Sequence, residues 1–218
     1  FPTRRSSDLS DRLDIMGTGT LNIDESRQLQ LITQYYKSQG DDDYGLNLGK
    51  GFSAIRGTST PFVSNGLNSD RIPGTERHLI SLQYSDSAFL GQELVGQVYY
   101  RDESLRFYPF PTVNANKQVT AFSSSQQDTD QYGMKLTLNS KPMDGWQITW
   151  GLDADHERFT SNQMFFDLAQ ASASGGLNNK KIYTTGRYPS YDITNLAAFL
   201  QSGYDINNLF TLNGGVRY

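Results

Sequence analysis

Apolar and polar side chains alternate along most of this chain with a period of two. In residues 13–23 the odd positions are Leu13, Ile15, Gly17, Gly19, Leu21 and Ile23, whereas Asp14, Thr18 and Asn22 fall between them. Successive side chains of an extended strand point to opposite faces, so this spacing predicts a strand with one apolar and one polar face. The spacing recurs at Ile80, Leu82 and Tyr84; at Leu94, Gly96, Val98 and Tyr100; and at Tyr132, Met134, Leu136 and Leu138. It returns at Trp146, Ile148, Trp150, Leu152 and Ala154, and at Phe210, Leu212, Gly214, Val216 and Tyr218. The opposite faces read Gln83 and Ser85; Glu93, Gln97 and Arg101; Lys135 and Thr137; Gln147, Thr149, Asp153 and Asp155; Thr211, Asn213 and Arg217. One face suits hydrocarbon and the other suits water.

The segments between these strands fall into two classes. Asp24 with Glu25, Ser26 and Arg27, then Asp86 with Ser87, then residues 139–145, and finally Asp205 with Ile206, Asn207 and Asn208 are short and built from turn-forming residues. Residues 38–76, 103–129 and 158–194 are each far longer than the ~12–15 residues tolerated for an unstructured connection in a compact domain. Short and long connections alternate strictly. Tight turns on one side of an antiparallel meander and long loops on the other are the pattern of a bacterial outer-membrane β-barrel, with turns in the periplasm and loops outside. The expected fold class is all-β, an antiparallel meander of about eight strands forming part of a transmembrane barrel. The chain enters on a descending strand and leaves on an ascending one.

Composition removes the main competitor. Hydrophobic residues make up 36% of the chain, mean hydropathy is -0.57, and the longest apolar run, residues 196–200, falls far short of the ~20 residues of a spanning helix. Aromatics make up 12%. Tyr35, Tyr36, Tyr84, Phe89, Trp146, Phe199 and Tyr204 lie near strand ends, where interfacial girdles belong, although aromatics are also ordinary strand residues. The absence of cysteine decides nothing about the compartment. A net charge of -4 gives no support for nucleic acid as a partner.

The first ten residues break the pattern. Phe1, Pro2, Thr3, Arg4, Arg5, Ser6, Ser7, Asp8 and Leu9 have no strand period, and their text resembles the translated product of a DNA-sequencing library adapter. Residues 1–10 are therefore expected to be a non-native leader, and residues 11–218 a piece of a larger barrel, since no charged-then-apolar export signal opens the chain.

The stretches GTGTLNIDESRQLQLITQYYKSQGDDDYGLNLG, VYYRDESLRFYPFP and GRYPSYDITNLAAFLQSGYDINNLF resemble the barrel of TonB-dependent siderophore receptors. The strand–turn–strand phrase around residues 22–37 is common to that family, and the loop text is more particular. The resemblance implies a 22-stranded barrel filled by an N-terminal plug, of which about a third is present here. It further implies binding and import of a ferric siderophore, with no covalent chemistry and no resident cofactor. The implied partners are the TonB–ExbB–ExbD complex, acting through a plug and N-terminal segment that this sequence does not contain, outer-membrane lipid and lipopolysaccharide, and bacteriocins. The alternatives are a receptor for another iron chelate or haem and, from a different class, a porin-like diffusion channel.

Two constellations could bind such a ligand. Arg101, Asp102, Glu103, Ser104, Leu105, Arg106, Phe107, Tyr108, Pro109, Phe110 and Pro111 interleave guanidiniums with aromatics. A guanidinium pairs bidentately with carboxylate and flat rings cover apolar parts of a chelate, which suits a ferric hydroxamate–citrate complex. The bland alternative is a self-packed loop whose arginines pair with Asp102 and Glu103. Lys180, Lys181, Tyr183, Arg187 and Tyr188 form a basic, tyrosine-bearing stretch that could attract an anionic chelate or lipopolysaccharide phosphates, or simply be solvated. The candidate ligand-binding residues are Arg101, Arg106, Phe107, Tyr108, Tyr183 and Arg187.

Other motifs are weaker. Asp41, Asp42 and Asp43, and Asp153, Asp155, His156 and Glu157, are oxygen-rich but lack calcium-loop spacing. Residues 45–51 read G-x-x-x-G-K-G, one residue short of a phosphate loop and without its hydroxyl. His78 and His156 follow no triad or metal pattern. No enzyme is expected.

Overall fold

The computed structural model describes residues 11–40, 67–116, 118–174 and 176–218. Its elements are β1 (Asp11–Asn22), β2 (Arg27–Gln39), β3 (Asn68–Ser69), β4 (Gly74–Phe89), β5 (Gln92–Arg106), β6 (Phe110–Val113), β7 (Val119–Met143), β8 (Trp146–Phe166), α1 (Leu168–Ala173), β9 (Asn178–Asn179), β10 (Lys181–Gly186), β11 (Tyr191–Asn207) and β12 (Phe210–Arg217). Eight long strands form one antiparallel meander in the order β1-β2-β4-β5-β7-β8-β11-β12, open at both ends. The expected fold class and strand number are both met. The leader, the Asp41–Asp43 cluster and the glycine-rich residues 45–51 lie outside the described residues.

The register makes the two faces continuous across the sheet. Leu31, Leu82, Val98, Met134, Ala154 and Leu196 are successive cross-strand partners, and so are Leu29, Tyr84, Gly96, Leu136, Leu152 and Ala198. Leu82, Val98, Leu136, Ile148 and Leu212 all share this apolar face. The face stays exposed, with Val98 at 52% and Leu212 at 65%, and a continuous apolar surface of this extent marks contact with membrane or partner. On the other face Gln30, Gln83, Gln97, Lys135 and Asp153 are partners in one row.

The apolar band has two aromatic borders. Trp146 and Tyr204 pair at one edge, and Tyr100, Tyr132 and His156 at the other. Beyond the latter comes a charged row of Asp102, Asp130, Arg158 and Asp192. From Trp146 to His156 is ten residue steps, roughly 33 Å along the strand. At the ~40° tilt of membrane barrels this is a height of about 25 Å, the thickness of an outer-membrane apolar band. Of the expected girdle residues, Tyr35, Tyr84, Trp146 and Tyr204 take the apolar face. Tyr36 and Phe199 take the polar one, where Tyr36 Oη accepts from Arg12 Nε at 3.2 Å and Nη2 at 3.0 Å. Nearness to a strand end does not choose a face; parity does.

Two kinds of boundary differ from expectation. The turn expected at residues 139–145 shrinks to Asp144 and Gly145, because β7 pairs with β8 up to Met143 and Trp146. The turn expected at Asp86 and Ser87 moves to Leu90 and Gly91, both at positive φ (50° and 77°). That is the two-residue hairpin conformation whose twist matches the strands. Polar residues within the ladder have the composition of turn signals. The long connections differ more. Residues 119–129 and 158–166 continue β7 and β8, and residues 181–186 form β10 against β8. Apolar alternation ends where the hydrocarbon ends, but the backbone ladder needs no apolar side chains to continue.

Candidate functional site

The extension of β7 and β8 beyond the aromatic border is a wall with two unlike sides. On the side continuous with the apolar face, Phe122 and Phe166 are buried against Ala171 of α1, flanked by Met164 and Leu168. Their rings are 6.3 Å apart. Asp167 starts α1 by accepting the Gln170 N–H at 2.8 Å, an N-cap. On the side continuous with the polar face lie Ser123, Ser125, Ser161 and Gln163, with Phe165 stacked on Tyr183 at 4.7 Å and 15°.

Ser123, Ser124 and Ser125 are wholly buried in the middle of this wall. Small hydroxylic side chains let other groups approach both sides and satisfy each of them. Ser123 Oγ accepts from Gln163 Nε2 at 2.8 Å, Ser124 Oγ donates to the Phe107 carbonyl at 2.7 Å, and Ser125 Oγ accepts from Arg187 Nη1. The Arg187 guanidinium lies 5.6 Å from the Phe110 ring centre and 5.1 Å from that of Tyr188, and the Arg187 backbone N–H donates to the Ser161 carbonyl at 3.1 Å. Among the described residues the guanidinium pairs with no carboxylate. A guanidinium oriented by a serine, flanked by rings and left without a counter-ion is suited to an anion bearing carboxylates.

The six candidates are therefore only partly gathered. Arg187 and Tyr183 share the polar side of the β7–β8 wall. Phe107 extends the ladder, its N–H bonding the Ser125 carbonyl at 2.9 Å. Tyr108 closes over Gly40, where a Cβ would collide with Tyr108 Oη. Arg101 is on the polar side as well, but it pairs in register with Gln131. That is six residues along β7 from Ser125, roughly 20 Å away. Arg106 pairs with Gln126 and falls on the opposite side from Ser125. Its Nη2 lies 3.6 Å from Glu76 Oε2, and Glu76 also accepts from Tyr35 Oη at 3.4 Å and lies 3.6 Å from His78 Nε2.

The bland reading of the middle connection fails in its particulars. Glu103 is held bidentately by Arg77, at 3.0 and 3.1 Å, and Asp102 is the cross-strand partner of Asp130. Neither pairs with Arg101 or Arg106; among the described residues the Arg101 and Arg106 Nε atoms are buried without partners. The expected carboxylate face of β8 is committed elsewhere. Asp153 meets Arg217 at 2.7 Å and Lys135 at 3.8 Å, Asp155 accepts from Asn195 at 2.9 Å, and Glu157 accepts from Tyr191 Oη at 3.0 Å. No acidic or histidine cluster suited to a metal occurs among the described residues. Lys180 is exposed, and the Lys181 N–H donates to Asp70 Oδ2 at 2.6 Å.

Ser125 carries no sequence signal, because a run of Ser, Gln and Asp after Phe122 reads as loop, and Phe165 lies in the expected connection of residues 158–194. Phe110 belongs to the arginine–aromatic stretch of residues 101–111 but not to the six candidates. Its place opposite Ser123 in the β6–β7 ladder makes it a neighbour of Arg187.

An open sheet with an apolar band of membrane height, a polar reverse face and ladders prolonged past one border describes a wall of an outer-membrane type barrel. Residues 16–218 match the family described as TonB dependent receptor-like, beta-barrel, and the chain belongs to it. That is a family of receptors rather than enzymes. The chain is similar to the ferric aerobactin receptor of Klebsiella pneumoniae, with 97% identity over 99% of this chain, and to that of Escherichia coli, with 96%. It is 39% identical to the rhizobactin receptor of Rhizobium meliloti strain 1021 over the same share. The chain spans 30%, 30% and 29% of these curated relatives, respectively. Among solved structures, the copper transporter OprC shares the fold, with a TM-score of 0.59 at 14% identity over 94% of this chain and 27% of that one.

Proposed function

We propose that this chain forms part of an outer-membrane receptor that binds ferric aerobactin and imports it with energy delivered by the TonB–ExbB–ExbD complex. The observation that carries the reading is the 97% identity to a ferric aerobactin receptor, which runs through the external connections as well as the band. Loops facing ligand set specificity, so likeness there bears on the ligand more than likeness in the wall does. The apolar face meets lipid, the short turns face the periplasm, and the β7–β8 extension stands outside. Lipopolysaccharide borders the charged row above the aromatics, and bacteriocins are further candidates for the external surface. The plug and the segment that engages TonB belong to parts of the protein outside this sequence.

Ferric aerobactin is captured on the polar side of the extension. Arg187 supplies the charged hydrogen bonds, with Tyr183, Phe110 and Tyr188 as apolar walls, and Phe107, Tyr108 and Arg101 lie along the approach. A charged hydrogen bond contributes ~1.5–3 kcal/mol, so Arg187→Ala in full-length receptor is expected to weaken ferric aerobactin binding roughly ten- to a hundredfold. Titration of purified receptor measures it. Lys135→Ala, on the polar face near Asp153, is the control and leaves affinity unchanged. Wild-type affinity in Arg187→Ala would remove this side of the wall from the site.

A further inference from the structure

Residues 67–73 cross the β7–β8 wall on the side opposite Arg187 and are fastened there at three points. Asn68 and Ser69 pair in parallel with Asn178 and Asn179, the β3–β9 bridge. Asp70 Oδ2 accepts the Lys181 N–H at 2.6 Å. Arg71 then enters the wall, Nη1 donating to the Ser124 carbonyl at 3.0 Å and Nη2 to Asn162 Oδ1 at 2.5 Å. Asn162 is the cross-strand partner of Gln126, which fixes the side from which Arg71 approaches.

Arg71 is only 6% exposed and forms no ion pair among the described residues. Desolvation lowers its pKa from the ordinary arginine value, opposed by Asp128 and reinforced by Arg106. Burying a guanidinium against neutral acceptors costs free energy that an apolar side chain of similar length would not, so stability alone does not account for it. What Arg71 touches does. It grips the carbonyl of Ser124, and the next residue presents the hydroxyl that orients Arg187 on the opposite side.

We propose that Arg71 is a positioning residue for ligand capture: it pins Ser124 from behind, so that Ser125 holds Arg187 toward the ligand. The inference rests on the ligand-side reading of Arg187 above. It makes the first long connection, which contains Arg71, a support for a site built by the second and third.

The test is a double-mutant cycle in full-length receptor, read by titration with ferric aerobactin and by thermal unfolding. Arg71→Met is expected to weaken binding about tenfold, the scale of a displaced binding group, without lowering the unfolding temperature. In an Arg187→Ala background the same change should cost less than about twofold, because residues acting through one another are not additive. Arg71→Lys, which keeps the charge and one donor direction, should fall between wild type and Arg71→Met; if Arg71→Met does not fold, Arg71→Lys carries the cycle. Losses that multiply in the double variant, or wild-type binding by Arg71→Met while Arg187→Ala is impaired, would remove Arg71 from this role alone. Wild-type binding by Arg187→Ala would instead overturn the ligand side itself, and the role of Arg71 with it.

Discussion

Strand β7 passes through two environments, and its halves obey different rules. From Tyr132 to Leu138 every second residue is apolar, and those residues face outward as part of the band. From Ser123 to Asp130 no apolar residue occurs, yet the same ladder to β8 runs through both halves without a break. In the band the solvent on one side is hydrocarbon, so side-chain polarity is dictated by depth. In the extension water lies on both sides unless another segment covers one, and residue choice follows neighbours such as Arg71, α1 and Arg187. The lesson is that hydrogen bonding builds the strand and the surrounding medium writes its pattern.

Charge should therefore be costly in one half and indifferent in the other. Leu136→Arg, in the middle of the band, is expected to cost ~2–4 kcal/mol. Thr120→Arg, exposed in the extension of the same strand, should stay within ~0.5 kcal/mol. Unfolding of full-length receptor in lipid vesicles measures both, and equal costs would break the comparison.

Arginine should matter by side rather than by height. Arg187→Ala is expected to lose ~1.5–3 kcal/mol of ligand binding with unchanged stability. Arg106→Ala, on the other side and paired with Glu76, should change affinity less than about threefold, in line with a part-exposed ion pair. Ferric aerobactin titration ranks them; the reverse order would move the site to the side that carries Arg106.

Within the band, packing between the faces sets the next effect. A Cβ on Gly151 would collide with the Leu136 carbonyl and come within 2.7 Å of the Phe199 ring. The carbonyl is part of the ladder and cannot rotate away. Gly151→Val should cost ~1–3 kcal/mol as overpacking, seen as a lower folded fraction in vesicles. Gly186→Ala, in β10 with open space around it, should be silent by the same assay.

The smallest effect belongs to the short turn at the other end. Asp24 accepts from Arg27 Nε at 2.6 Å and from the N–H groups of Ser26 and Arg27 at 2.9 and 2.8 Å. The Arg27 guanidinium, helped by these amides, holds its carboxyl well below the usual range. A lowered folded-state pKa stabilises fully above the unfolded value of ~3.9 and is lost as pH falls through the folded one. Asp24→Asn should thus be slightly less stable than wild type at neutral pH, with the difference closing in strong acid. A gap that widens on acidification would contradict this.

The sequence by itself determined the strands of the band, their faces and the alternation of short and long connections. Each rests on a local rule: side chains alternate with period two, and lipid tolerates polarity on one side only. It also brought out Arg187 and Tyr183 as candidates, because charge and rings near the end of a long connection are legible as text. What only the tertiary structure decided lies where no such rule applies. The course of β7 through Ser123, Ser124 and Ser125, the side taken by Arg106, and the grip of Arg71 on Ser124 depend on contacts between residues far apart in the chain. Outside the hydrocarbon a polar strand and a polar loop have the same composition, and pairing with a distant partner is what separates them.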